Sequence, residues 1–159
     1  MVTKMAEAIV EQILAQWRTT LSAISVANGY RNDVEKVERW RAGSMAQEGN
    51  VLLEIKQGAT SAPELQVMGT ELRTVTVTTL LKIRHDPDTD TLSSDTVMNR
   101  LEQDVYQAIM ADPTRGGLAE TTRYQGSAPA ELEEGTTRVV KAVDYAVDFR
   151  HSTTDMSVL

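Results

Sequence analysis

Residues 85–95, HDPDTDTLSSD, set Asp86, Asp88 and Asp90 at alternate positions beside His85. Carboxylates at that spacing open calcium loops, and Asp combined with His builds many catalytic metal sites. A calcium loop beginning at Asp86 would place Asp88 and Asp90 at its third and fifth positions. Its sixth position, where glycine permits the sharp turn, holds Thr91, and its twelfth, where a bidentate Glu closes the coordination shell, holds Val97. The loop also follows a strand and not a helix. A transition-metal or magnesium site would need further ligands, and no H-x-x-x-H or D-x-H pair supplies them. Turn chemistry accounts for more of the residues. Asp-Pro-Asp favours a turn. Ser93 is placed to cap a following helix, Leu92 and Val97 stand at the staple positions around it, and Asp95 suits the positive end of the helix dipole.

Other reactive patterns fall short in the same way. Residues 112–117, DPTRGG, combine two glycines with Thr and Arg, as a phosphate cradle would. Phosphate loops run from strand to helix so that helix N-terminal amides face the anion, whereas here a helix precedes and a strand follows. The segment reads as a helix stop. Neither G-x-S-x-G nor H-E-x-x-H occurs, so no hydrolytic motif is present. Glu131, Glu133 and Glu134 read as a solvated acidic loop. Trp40 between Arg39 and Arg41 has the composition of an interface hot spot, with a tryptophan folded back onto the core as the alternative.

Periodicity supplies the scaffold for these residues. Val10, Ile13, Leu14, Trp17, Leu21 and Ile24 recur at helical steps and predict a helix over 5–25, capped by Thr3 and stopped by Asn28-Gly29. Residues 30–41 alternate in charge, as an edge strand does. Residues 43–50 read as a turn, and Val51, Leu53 and Ile55 mark a half-buried strand. Residues 58–70 read as a long loop. The longest strand spans 72–84, with Val75, Val77, Thr79, Leu81 and Ile83 on one face. A second helix spans 94–111, with Val97, Leu101, Val105, Ala108 and Ile109 buried. Strands follow over 118–125 and 137–150, the latter with Lys141 interrupting the stripe of Val139, Val143, Tyr145, Val147 and Phe149. Neighbouring strands joined by short turns pair antiparallel. The expectation is therefore one α+β domain over 1–150: a mostly antiparallel sheet of about five strands with two main helices on one face. Residues 151–159 are expected as a flexible arm.

Composition limits the partners. The chain has 159 residues, 41% hydrophobic and 25% charged, which suits a globular domain. Cysteine is absent, which removes disulfides and thiolate chemistry. The net charge of −7 argues against a protein that seeks phosphate backbones, and an aromatic share of 4% argues against a base-stacking platform. No stretch has the length and apolarity of a membrane span or a signal peptide, so a soluble protein made in the cytoplasm is expected.

Several of these elements, taken in order, resemble the tail terminator (tail completion or neck) proteins of long-tailed bacteriophages. The first helix runs into Asn28-Gly29-Tyr30 and then DVEKV at 33–37. The long strand leads to LEQDVYQAI at 101–109, DPTRGGLA at 112–119 leads to TTRY at 121–124, and the chain's last strand carries VDYAVDFR at 143–150. The resemblance covers nearly the whole chain and implies a subunit without enzymatic activity or cofactors. It implies a homo-oligomeric ring, usually a hexamer, at the head-proximal end of the tail in the virion. Such a ring ends tube polymerisation, touches the tail tube protein and the head–tail connector, and lets DNA pass without specific binding. On this reading Arg39, Trp40, Arg41, Glu64, Met68, Arg115, Glu133 and Glu134 are candidate subunit or tube contacts. Asp86, Asp88 and Asp90 are then loop-tip charges facing the lumen or a neighbour's Arg. Competing expectations are another connector component (adaptor or stopper), a small metal-dependent enzyme using Asp86, Asp88, Asp90 and His85, and a ligand-binding regulatory domain.

Overall fold

The computed structural model describes residues 7–41, 49–63 and 65–159. The first helix, α1, spans Ile9–Ser22 and buries Ile9, Val10, Ile13, Leu14, Trp17 and Leu21 along one stripe. It begins later than the periodicity suggests. Ala8 occupies the cap position without a side-chain bond, and the orphan amide of Ile9 donates instead to the carbonyl of Met156 at 2.9 Å. The proposed Thr3 cap lies outside the described residues. At the other end the chain leaves α1 at Ala23 and makes a separate 3-10 turn over Val26–Asn28, closed by Gly29 at φ 90°. A side chain at that φ would be strained, which is why glycine stands there.

Among the described residues seven strands form one mixed sheet: β1 (Lys36–Arg39), β2 (Val51–Thr60), β3 (Leu65–Val67), β4 (Thr70–Arg84), β5 (Thr121–Ser127), β6 (Glu131–Leu132) and β7 (Arg138–Ser152). The main order is β1-β2-β4-β7-β5, with short β3 added to β4 and short β6 added to β7. The fold is α+β. Two of its strands were not anticipated, and the sheet is not purely antiparallel, because β1 and β2 run parallel with Lys36 opposite Leu52 and Arg39 opposite Ile55.

The expected long loop over 58–70 is also different. Strand β2 continues through it to Thr60, and β3 then turns back on β4, with Val67 opposite Thr70. Met68 and Gly69 make the two-residue turn, both with positive φ (49° and 80°), the conformation that suits the right-handed twist of a hairpin. Gly58 in β2 sits where space is tight, since a Cβ there would lie 3.1 Å from the carbonyl oxygen of Thr76.

The second helix, α2, spans Ser94–Met110, and Ser93 caps it by accepting from the Thr96 amide at 3.3 Å. Met98, and not Val97, takes the fully buried position in its first turns, and Leu92 is exposed. Both helices lie on the face of the sheet that carries Val37, Leu53, Ile55, Val75, Val77, Leu81, Ile83, Val143, Tyr145, Val147 and Phe149, so one core serves the whole domain. Thr79 sits inside that apolar stripe because the indole N–H of Trp17 donates to its hydroxyl at 3.2 Å. Lys141 also stays on the helix face, where its ammonium lies 2.5 Å from the Glu102 carboxylate of α2. Strand β7 continues to Ser152, beyond the predicted end at 150. Residues 153–159, expected as a flexible arm, fold back onto the domain. The Thr153 amide donates to Gly69 O, and Val158 O accepts from Ser152 N at 2.7 Å.

Asp104 joins these layers. It is buried on α2, and its carboxylate accepts from the amides of Arg31 and Asn32 and from the Asn32 side chain, all at 2.8–3.1 Å. Removing it leaves three part-buried donors without their shared acceptor and a buried gap on α2. Asp104→Ala is expected to lower unfolding stability by about 2–4 kcal/mol in urea titration, while a surface replacement such as Gln103→Ala leaves it within about 0.5 kcal/mol.

Candidate functional site

The aspartate corner is tied up by its own backbone. Asp90 Oδ2 accepts from the Asp86 amide at 2.7 Å, and Asp86 Oδ1 accepts from the Asp88 amide at 3.0 Å. His85 Nδ1 lies 3.3 Å from the same Asp90 oxygen. These bonds shape the turn between β4 and α2, and Asp88 stands exposed at its tip. Among the described residues no three His, Asp or Glu side chains are grouped to hold a metal ion. Across a cavity of about 440 Å³ the corner faces the β6–β7 turn, with His85 and Asp95 on one wall and Glu131 and Thr136 on the other. Asp86, Asp88, Asp90, Glu131, Glu133 and Glu134 therefore gather at one end of the sheet. Glu133 reaches over the face remote from the helices to Lys82 at 3.6 Å, and Lys82 in turn holds the buried Glu54 at 2.9 Å. Glu134 is exposed.

Arg115 is not a surface residue. Its side chain is fully buried, with φ 52° on its backbone. The guanidinium folds back under the end of α2, where Nη2 donates to the carbonyls of Ile109 and Asp112, and Nη1 to Gln16 Oε1 at 3.3 Å. It also lies 5.4 Å from the Trp17 ring. A cation at a helix C-terminus meets the negative end of the dipole and the last unpaired carbonyls. Burial pulls the guanidinium pKa down. Asp112 shapes the same turn by accepting from the Thr114 hydroxyl and amide and from the Gly116 amide, which hold its carboxyl below the usual range. The segment 112–117 is the expected helix stop, but Arg115 is its internal clamp and does not belong among the candidate contacts.

Arg39 and Trp40 are adjacent in sequence and point to opposite faces. Arg39, on the helix side, pairs with Glu11 of α1 at 3.0 Å. Trp40 does not fold onto the core: it is 41% exposed, with the Lys56 ammonium 4.5 Å from its ring centroid. Arg41 is exposed beside it. Met68 is fully exposed at the tip of the β3–β4 hairpin, at the end of the sheet opposite the acidic one. Glu64 lies outside the described residues. Fifteen residues of β4 at about 3.3 Å each separate the two ends by roughly 50 Å.

Three surface features were missed in the sequence. Met156, Val158 and Leu159 are exposed at the Met68 end, brought there by the return of the C-terminal segment. Tyr106 and Tyr124 form an exposed edge-to-face pair with centroids 5.7 Å apart. Tyr106 lies off the buried stripe of α2, and that was the available signal. The third is a ladder on the sheet face remote from the helices. There the Thr78 hydroxyl donates to Asp144 at 2.5 Å, the Thr74 hydroxyl to Asp148 at 2.6 Å, and Arg123 also pairs with Asp148.

No protein-family model matches the chain, and neither does any curated protein.

Two mutational tests follow from these bonds. Arg115→Met should cost about 2–4 kcal/mol, because the helix-end carbonyls lose their donor, and Arg115→Lys should restore only part of it. An unchanged melting temperature in Arg115→Met would return the residue to the list of surface contacts. Burial alone would raise the pKa of Glu102, but hydrogen bonds from Lys141, Tyr124 and Ser127 outweigh it and hold the carboxyl down. A depressed folded-state pKa adds stability that is fully present above the unfolded value, about 4.3 for Glu, and is lost as pH falls through the folded value. Urea stability should therefore fall below about pH 4.5, and Glu102→Gln should be less stable at neutral pH with a shallower acid decline.

Proposed function

We propose that this chain is a structural subunit of a bacteriophage tail that assembles into a ring at the head-proximal end of the tube. The observation that carries the reading is the division of the subunit's surface. A terminating ring must hold two unlike partners, a tube on one side and a connector on the other. The sheet here has two unlike ends: one exposing Met68, Met156, Val158 and Leu159, and one where the carboxylates of Asp86, Asp88, Asp90 and Glu134 accompany the exposed Leu92 and Leu132. Apolar surface at one end favours a lasting contact, since exposed apolar side chains gain most on burial. Carboxylates at the other end favour a basic partner and disfavour a second copy of the same end. The net charge of −7 suits a lumen through which DNA slides without adhering. The resemblance in element order adds to this reading.

Native mass spectrometry and negative-stain imaging of the purified chain test it. A single closed oligomer, six copies being expected, with a central opening is the predicted result. A species that stays monomeric at high concentration, or stops at a two-fold dimer, contradicts the ring.

A further inference from the structure

We infer that the seam between neighbouring copies is formed by Tyr106 and Tyr124 of one subunit seated in the groove between α1 and β1 of the next. The inference rests on the ring reading and specifies which surfaces meet. The two features lie at opposite edges of the sheet, since β1 and β5 terminate the strand order. A contact between unlike patches on opposite edges is heterologous, the kind of contact that builds a ring when its rotation closes.

The surfaces match in chemistry. Tyr106 and Tyr124 are 45% and 40% exposed, and the Tyr124 hydroxyl is fixed by donating to Glu102 at 2.8 Å. The pair is a rigid aromatic shelf with little side-chain entropy left to lose. The groove, about 590 Å³, runs past Glu11, Ala15, Arg18, Thr19 and Arg39. Its two guanidinium groups are also held in place, Arg39 by Glu11 at 3.0 Å and Arg18 by the Val37 carbonyl at 3.1 Å. Tyrosine faces against guanidinium planes give cation–π contacts, and Tyr with Arg is the residue combination that dominates interface hot spots. The backbone agrees. Arg18 covers part of the β1 edge, while β5, TTRYQGS, is the outermost strand on the other side, bent by a register shift between Tyr124 and Gly126 that limits strand-to-strand pairing and leaves side chains to make the contact. Packing against α1 and β1 of a neighbour would cover it.

The chain has no cysteine, so introduced thiols report contacts without background. Thr19→Cys and Gln103→Cys, both at exposed helix positions and the second one turn before Tyr106 on the same face of α2, are made as separate variants, mixed and mildly oxidised. The mixed disulfide should dominate over either self-linked dimer, and a chain carrying both changes should give a ladder of covalent multimers. Arg39→Glu, added to the Thr19→Cys variant, should reduce the mixed product at least tenfold while leaving the circular dichroism melt in place. Self-linked dimers of Gln103→Cys forming as readily as the mixed product would overturn the seam, as would absence of the mixed product. If native mass spectrometry shows a closed ring in either of those cases, the seam is wrong and the ring stands. If only monomer is seen and no link forms, both fall.

Discussion

The pairing of β4 with β7 is the constraint on which the rest of the molecule depends. All fifteen residues of β4 are in register with β7, from Thr70 opposite Ser152 to Arg84 opposite Arg138. One face of that ribbon supplies Val75, Val77, Leu81, Ile83, Val143, Tyr145, Val147 and Phe149 to the core, and α1 and α2 lie across it. Because side chains alternate with period two, a one-residue slip would turn this whole set outward, so the apolar stripe fixes the register. The length of the ribbon then fixes what stands at each end. The β3–β4 hairpin and the returning C-terminal segment share one end, and the aspartate corner and the β6–β7 turn share the other.

Buried polar groups tie the helix layer to this ribbon. Trp17 bonds Thr79, Lys141 of β7 reaches Glu102 of α2, and Asp104 holds the chain at Arg31 and Asn32. Arg115 closes the end of α2 against Gln16 and Trp17 of α1. Each of these groups is a charge or hydroxyl whose partner lies on another element. Losing one partner leaves the other desolvated and unpaired, so they specify the arrangement of layers as much as they strengthen it. The residues whose types first suggested chemistry, His85, Asp86, Asp90, Asp112 and Arg115, are engaged in turns and caps. Met68, Trp40, Tyr106 and Tyr124 remain exposed at the ends and edges, where partners would meet them.

Much of this was legible in the residue pattern, and the failures share a cause. The helix stripes, the alternation in β4 and the Ser93 cap are local signals, and they lie where periodicity places them except that Met98 takes the buried position expected of Val97. The start of α1 was misread because its cap is the carbonyl of Met156, a partner far along the chain. The parallel pairing of β1 depends on the path between Arg39 and Val51, which no local pattern encodes. Residues 58–70 read as a loop because Gly58, Pro63 and the Met68-Gly69 turn break the strand pattern, yet Gly58 sits in β2 with Thr76 closely opposed to it. Arg115 was taken for a surface residue on its charge, and its burial follows from helix-end carbonyls that only the folded turn brings within reach. Lys141 was recognised as an interruption, but its partner Glu102 lies on a different element.

The measurement that tests most directly whether the edges, and not the turn motifs, are where this protein acts is amide hydrogen exchange at low and high chain concentration. The central amides of β4 and β7 should be equally slow in both, because their ladder is complete within one copy. Protection should appear with concentration in β5 and in the exposed turns of α1, while the Met68 hairpin and the 86–90 corner should exchange alike in both. Concentration-dependent protection confined to the 86–90 corner, or absent from both sheet edges, would contradict the account.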